Sequence, residues 1–163
     1  MKHVGIIGAG LSGLATAKAF IREGFHVTVI EKAASVGGVW EKSRSYHGVA
    51  TQTTRDEYAF SDFPMPSHYP LWPSGEQVQQ YLEDYARHFG ILSVIRFNTA
   101  VTGLRYENNN WEMDIYDAGE DYTDTLRFHF VAICTGTFHK PHIPAFKGME
   151  TFTGQVLHTS QVA

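Results

Sequence analysis

A glycine pattern near the amino terminus could hold a phosphate group. Gly8, Gly10 and Gly13 are spaced as GxGxxG between an apolar run and a helical pattern. In such a turn the first glycine permits a tight bend, the second lets a diphosphate approach the backbone, and the third lets helix and strand pack closely. The N–H groups at the start of the helix then attract phosphate oxygens. The pattern therefore predicts a dinucleotide site.

An acidic residue follows at the position that such a site needs. Glu31 lies 18 positions after Gly13, at the end of a β-branched run. A carboxylate there accepts hydrogen bonds from an adenosine ribose and repels a 2′-phosphate. We therefore expect the first nucleotide to be FAD or NAD and not NADP.

A second glycine pair distinguishes these two ligands. Gly37 and Gly38 precede Val39 and Trp40, just after the acidic residue. A site for NAD alone has no need of this pair, whereas a longer ligand with a ribityl chain could approach its backbone closely. The pair therefore favours FAD.

Hydrophobic patterning predicts the elements that position these residues. Residues 4–7 and 26–30 are typical of buried strands, and residues 11–24 of an amphipathic helix, which gives a parallel βαβ unit. Residues 33–75 are rich in loop-forming residues, and a helix is expected from Ser74 to Gly90.

The second half of the chain is predicted to be mostly strand. The runs 93–106, 110–116 and 126–133 indicate a small β-meander, which leads into a buried strand, 130–134, that stops at Gly136. The expected fold class is α/β: a GxGxxG (Rossmann-like) FAD-binding domain with a parallel sheet, flanking helices and an inserted β-meander.

Composition excludes several classes of protein. The 163 residues are 43% hydrophobic and 18% charged, with a net charge of -4, which suits one globular domain and no nucleic-acid partner. No apolar run approaches the roughly 18 residues of a transmembrane segment. The single cysteine, Cys134, excludes an intrachain disulfide and favours a reducing compartment, so we expect a cytoplasmic location.

Isolated histidines do not predict a metal site. His139 and His142 are separated by Pro141, which prevents a shared helical face, and no acidic partner lies nearby. Cys134 ends an apolar run and is interpreted as a small core residue.

Several motifs in order resemble the N-terminal FAD segment of the flavin-containing monooxygenases. The resemblance covers nearly all 163 residues, except the β-meander. Its motifs are GxGxxG, Glu31-Lys32, Gly37-Gly38-Val39-Trp40, Phe60-Ser61-Asp62-Phe63-Pro64-Met65-Pro66, the helix at 74–90, Cys134-Thr135-Gly136, and Phe152-x-Gly154-x-x-x-His158, which resembles the monooxygenase fingerprint.

The resemblance implies a reaction. Such enzymes reduce FAD with NADPH, form a C4a-(hydro)peroxyflavin with dioxygen, and insert one oxygen atom into a small molecule at nitrogen or sulfur; Baeyer–Villiger relatives oxidise ketones. The flavin carries the chemistry, so no catalytic side chain is expected.

The resemblance also implies cofactor-binding residues. Gln52 and Thr53 would lie near the flavin ring, with Gln52 a possible contact of the nicotinamide, and the backbone of Val101 would face the adenine. The other implied residues are Gly8, Ala9, Gly10, Leu11, Ser12, Gly13, Glu31, Lys32, Gly38, Val39, Trp40 and Gly136.

The chain departs from the family pattern at three points. Gln52 replaces a common asparagine, and Val162 replaces an aromatic residue at the end of the fingerprint. The main NADPH motif and the C-terminal return lie beyond the family's fingerprint, so residues 1–163 are expected to form a single, incomplete FAD-binding domain. Self-association or a partner chain would then complete it. The alternatives are a non-catalytic FAD-binding or interaction module, and another FAD-dependent oxidoreductase.

Overall fold

The computed structural model describes residues 1–137, 141–158 and 161. His139 and Val162 therefore lie outside the described residues. Short 3-10 turns lie at Gly38–Trp40, Ile91–Val94 and Met149–Thr151. The strands and α-helices of the described part are β1 (His3–Ile7), α1 (Leu11–Arg22), β2 (His26–Ile30), α2 (Arg55–Tyr58), α3 (Gly75–His88), β3 (Ile95–Arg96), β4 (Thr99–Glu107), β5 (Asn110–Asp117), β6 (Tyr122–Phe128) and β7 (Phe130–Ile133).

A parallel sheet forms the centre of the fold, in the order β3-β2-β1-β7. The predicted βαβ unit is confirmed as β1-α1-β2. Helices α1 and α3 share one hydrophobic core with this sheet, in which Val4, Leu14 and Leu82 are fully buried. Since the first strands are buried by this core, their carboxyl ends form a fixed edge for a ligand site.

Helix α3 begins at the residue that the sequence predicted. The Ser74 hydroxyl accepts a hydrogen bond from the backbone N–H of Gln77, and the Gln77 side chain accepts one from the backbone N–H of Ser74. This reciprocal capping satisfies two N–H groups that the first turn cannot pair. Gly90, in the left-handed conformation, follows the end of the helix.

The β-meander is a separate antiparallel sheet in the order β4-β5-β6. It packs on the parallel sheet through a cluster that contains Ile30, Met113 and Phe128. Gly5 makes this contact possible, since a Cβ atom there would lie 2.8 Å from the Phe128 ring.

Two predicted strands are wrong, because the structure divides each of them into two. The run 93–106 divides into β3 and β4, which belong to different sheets, because Asn98 between them turns the chain with a positive φ of 53°. The run 126–133 divides at His129 into β6 and β7, again in different sheets. Apolar periodicity alone does not reveal either division, since the residues on both sides suit a strand.

The prediction of a buried strand at 130–134 is also wrong. β7 ends at Ile133, and in the described residues it pairs only with β1, so it is an edge strand. Phe130 and Ile133 are therefore exposed, by 42% and 66%. No helix of the described residues is both long and apolar enough to cross a membrane.

Candidate functional site

A cavity of about 370 Å³ lies at the carboxyl ends of the parallel strands. Ile7 and Ile30 end β1 and β2 on its wall, and the residues after β7 complete that side. In open α/β sheets, ligands bind at this end of the strands. The lining residues are Ile7, Gly8, Gly10, Leu11, Ser12, Ile30, Glu31, Lys32, Gly37, Gly38, Val39, Trp40, Arg44, Tyr58, Thr99, Ala100, Val101, Cys134, Thr135 and Gly136.

The glycine turn, residues 8–13, has two positions at which a side chain cannot fit. Gly8 has a φ of +102°, and a Cβ atom there would lie 2.6 Å from the Cys134 carbonyl oxygen. A Cβ atom on Gly13 would lie 1.9 Å from the Gly8 carbonyl oxygen. These clashes are with backbone atoms, so these two glycines fix the bend and the helix packing, as the pattern predicts.

Gly10 has a different role because it faces the cavity. It is the N-cap residue of α1, and no side chain caps that helix. Leu11 and Ser12 of the first turn also line the cavity, and the N–H groups of a first helical turn have no partner within the helix. These donors and the open backbone at Gly10 fit the phosphates of a dinucleotide.

A second loop lines the cavity beside the glycine turn. This tryptophan loop, residues 35–44, contacts the glycine turn directly: the Gly37 N–H donates to the Ala9 carbonyl at 3.2 Å. Gly38 has a φ of +62°, and a Cβ atom there would lie 3.0 Å from the Gly10 Cα atom. The second glycine pair therefore lets the loop approach the glycine turn, and both walls belong to one cavity.

Buried hydrogen bonds hold the tryptophan loop in place. Glu41 is only 2% exposed, and its carboxylate accepts hydrogen bonds from the Ser35 and Ser43 hydroxyls and the Ser43 N–H. Burial alone would raise the pKa of Glu41, but the bonds from Ser43 and Ser35 outweigh it and hold the pKa below its ordinary value. Gln79 of α3 donates to Ser35 and to the Val36 carbonyl, which ties the loop to the core.

Trp40 and Tyr58 form an aromatic pair on this wall. The Trp40 indole N–H donates to the Tyr58 hydroxyl at 2.9 Å, and the two rings meet edge to face at 5.6 Å between centroids. The paired polar atoms let both rings present apolar surface to the cavity.

Glu31 also lines the cavity and is 8% exposed. Its carboxylate accepts hydrogen bonds from the N–H groups of Ala9, at 2.6 Å, and Ala33, at 2.9 Å. The Glu31 carbonyl also accepts from the Thr99 N–H, which brings the start of β4 beside it. Since a carboxylate has about four acceptor positions, Glu31 retains capacity for ribose hydroxyls.

The aromatic-Asp-Phe-Pro segment lies outside the cavity wall and packs on the helices. Asp62 forms an ion pair with Lys18 of α1, whose ammonium group also lies over the Phe89 ring. Phe63 packs against Tyr85, and its carbonyl accepts from the Tyr81 hydroxyl. This motif thus anchors the segment between the tryptophan loop and α3.

Most of the cofactor-binding residues implied by the sequence lie on the cavity wall, and four do not. Ala9 and Gly13 are buried beneath the turn. Gln52 and Thr53 are exposed and do not line the cavity, so their contact with a flavin stays a prediction.

Sequence reasoning missed part of the wall. The sequence patterns do not single out Arg44, Tyr58 or the pair Thr99 and Ala100 as site residues. Cys134 packs against the hydrophobic core, as predicted, but it is only half-buried and also lines the cavity. No local pattern marks these residues, since contacts between distant segments bring them to the site.

The fingerprint segment lies away from the cavity. The Phe152 ring covers the Gly154 backbone, where a Cβ atom would lie 2.5 Å from a ring carbon. The His158 N–H donates to the Gln161 side chain. Among the described residues of this segment, none lines the cavity.

Known proteins resemble this chain along its whole length. Dimethylaniline monooxygenase (N-oxide-forming) 4 of Mus musculus is 34% identical over 175 residues, covering 98% of this chain and 31% of that protein. The structure of S-allyl-L-cysteine S-oxygenase from Allium sativum matches with a TM-score of 0.88 at 26% identity, covering 98% of this chain and 42% of that one. OTEMO in complex with FAD and NADP matches with a TM-score of 0.77 at 27% identity, covering 98% of this chain and 30% of that one.

These matches agree with a family profile, and they also show a difference in length. The chain spans about a third of the length of the curated relative that it matches. The profile described as flavin-binding monooxygenase-like matches residues 1–163. The chain therefore belongs to the flavin-binding monooxygenase-like family.

Proposed function

We propose that residues 1–163 are the FAD-binding part of an NADPH-dependent flavin monooxygenase. The observation that carries this proposal is the single cavity bounded by the glycine turn, Glu31 and the tryptophan loop. A dinucleotide with its diphosphate at the start of α1 would find a ribose acceptor on one side and aromatic surface on the other. Family membership supports the same ligand.

The residues have distinct roles in this proposal. The first turn of α1 binds the diphosphate with backbone N–H groups, at the open backbone of Gly10. Glu31 accepts from the ribose, and the start of β4, including the Val101 backbone, lies on the adenine side. Val39 and Trp40 bound the far side of the cavity and exclude water there. When bound, FAD would accept electrons from NADPH and activate dioxygen.

We infer a small nitrogen- or sulfur-containing substrate for the whole protein. A dimethylaniline N-oxide-forming enzyme and an S-oxygenase are both among the proteins that this chain resembles. Oxygen transfer to a soft nucleophile needs no acid–base pair from the protein. A cytoplasmic location and a completing partner chain are part of this proposal.

Turnover with two matched substrates tests the activity. Residues 1–163, together with a polypeptide that supplies the NADPH-binding part, are given FAD, NADPH and air, then dimethylaniline or S-allyl-L-cysteine, and products are followed by mass spectrometry. The proposal predicts substrate-dependent NADPH oxidation and a product heavier by one oxygen atom. Bound FAD with no such product would favour the non-catalytic FAD-binding module, and no bound FAD would contradict both.

A further inference from the structure

One arginine on the cavity wall differs from all the others. The chain has seven arginines, all within the described residues. In that part of the chain, the Arg44 guanidinium makes no hydrogen bond or ion pair, although it lines the cavity. The six arginines that donate to a carboxylate, a backbone carbonyl or a tyrosine hydroxyl are Arg22, Arg55, Arg87, Arg96, Arg105 and Arg127.

The backbone of Arg44 is fixed although its side chain is exposed. The Arg44 N–H donates to the Glu41 carbonyl at 2.8 Å. The nearby Glu41 carboxylate is buried and accepts from Ser35 and Ser43, so it is already satisfied. The tryptophan loop thus presents a guanidinium that forms no ion pair with any carboxylate of the described residues.

The charged side chains on the wall give the cavity an excess of positive charge. The wall has one acidic side chain, Glu31, and two basic ones, Lys32 and Arg44. Lys32 adjoins Glu31 at the end of β2. Arg44 belongs to the loop whose Gly38 packs on Gly10, the N-cap of α1. The excess positive charge and the positive end of the helix dipole therefore belong to the wall of the same cavity.

We propose that the Arg44 guanidinium binds the diphosphate of bound FAD, and this inference rests on the function proposed above. The planar fork of an arginine matches two phosphate oxygens, which an ammonium group does not. Backbone N–H groups from the glycine turn and the guanidinium from the tryptophan loop would then hold the diphosphate from two sides. Arg44 thereby makes affinity depend on the phosphates as well as on adenosine.

Equilibrium titration of FAD, followed by quenching of flavin fluorescence, tests the assignment. The variants are Arg44→Gln and Arg44→Lys, with Lys42→Gln as the matched control, because Lys42 is exposed on the same loop and does not line this cavity. Each titration is repeated at low and high NaCl, and adenosine is used as a competitor without phosphates. Thermal unfolding of each variant checks that the fold is intact.

The proposal predicts that Arg44→Gln weakens FAD binding at least tenfold at low salt and reduces its salt dependence. Arg44→Lys should recover part of the affinity, while Lys42→Gln changes it less than twofold and the adenosine competition is the same in all variants. Equal affinities for Arg44→Gln and Lys42→Gln would overturn the role of Arg44 while FAD binding stands. A loss that extends equally to adenosine would also overturn it. If the parent chain itself binds no FAD, the proposed function fails and this inference with it.

Discussion

The two walls of the cavity are built by different means. In the glycine turn, backbone atoms pack so closely that Gly8 and Gly13 have no room for a side chain. In the tryptophan loop, side-chain hydrogen bonds hold the backbone: those of the Glu41 carboxylate within the loop and those of Gln79 from α3. A ligand site can thus combine a wall fixed by close backbone packing with a wall fixed by side-chain hydrogen bonds. The two walls should therefore respond differently to substitution.

The largest effect is expected at the centre of the glycine turn. A Cβ atom on Gly13 would lie 1.9 Å from the Gly8 carbonyl oxygen, so Gly13→Ala should lower the free energy of unfolding by about 3 kcal/mol. Urea denaturation measures this change. Gly10→Ala is the matched control, because its Cβ atom would meet Gly38 at an ordinary 3.4 Å. Equal denaturation midpoints for the two variants would show that the turn is not tightly packed.

Substitution of Gly10 should affect FAD binding much more than it affects folding stability. Gly10→Val places a branched side chain where the diphosphate approaches, so we expect FAD affinity to fall about 100-fold, which is about 2.7 kcal/mol. The free energy of unfolding should change much less than in Gly13→Ala. Titration with FAD and urea denaturation of the same preparation measure both quantities. An unchanged affinity would remove the glycine turn from the site.

The tryptophan loop should be sensitive to acid through Glu41. Its pKa is lowered in the folded state, so its contribution is complete above the ordinary value of 4.5 and is lost as the pH falls through the folded-state pKa. Glu41→Gln should lower the free energy of unfolding by about 2 kcal/mol at neutral pH, the scale of hydrogen bonds to a charged group.

Urea denaturation measured across that acid range distinguishes protonation of Glu41 from protonation of other groups as the cause of the lost stability. The parent chain should lose more stability below pH 4.5 than Glu41→Gln does, because the variant has no carboxylate to protonate. Parallel pH profiles for the two proteins would assign the acid response to other groups.

The smallest effect is expected at Glu31. Because Ala9 and Ala33 donate to different oxygens of Glu31, Glu31→Gln keeps an acceptor for one of the two N–H groups, and it also weakens the bonds to the ribose. We expect FAD affinity to fall about tenfold, or about 1.4 kcal/mol. Glutamine is preferable to alanine here, because alanine would also leave both N–H groups unpaired. The same affinity as the parent would place the ribose elsewhere.

The two walls also differ in how well the sequence predicts them. The glycine turn follows from a local pattern, since strand, glycines and helix adjoin in the chain, and the structure confirms each element. The role of the tryptophan loop depends on contacts with Gln79 and Tyr58, which no spacing rule connects to Trp40. Arg44 was missed for the same reason.

The two strand predictions that were wrong also failed because they depend on contacts between distant segments. Hydrophobic alternation continues across Asn98 and His129, so the pattern predicts single strands. The chain instead changes sheet at both points, through the left-handed conformation that asparagine tolerates at one of them. Sheet membership depends on which strands lie alongside, and that information is not local.

Flavin retention tests the central claim most directly. The purified chain is mixed with FAD, passed through gel filtration, and its visible absorption spectrum is compared with that of Gly10→Val treated in the same way. The account predicts a flavin spectrum that elutes with the parent chain, near one FAD per chain, and is absent from the variant. A parent chain that elutes without flavin would contradict the claim that these walls form an FAD site.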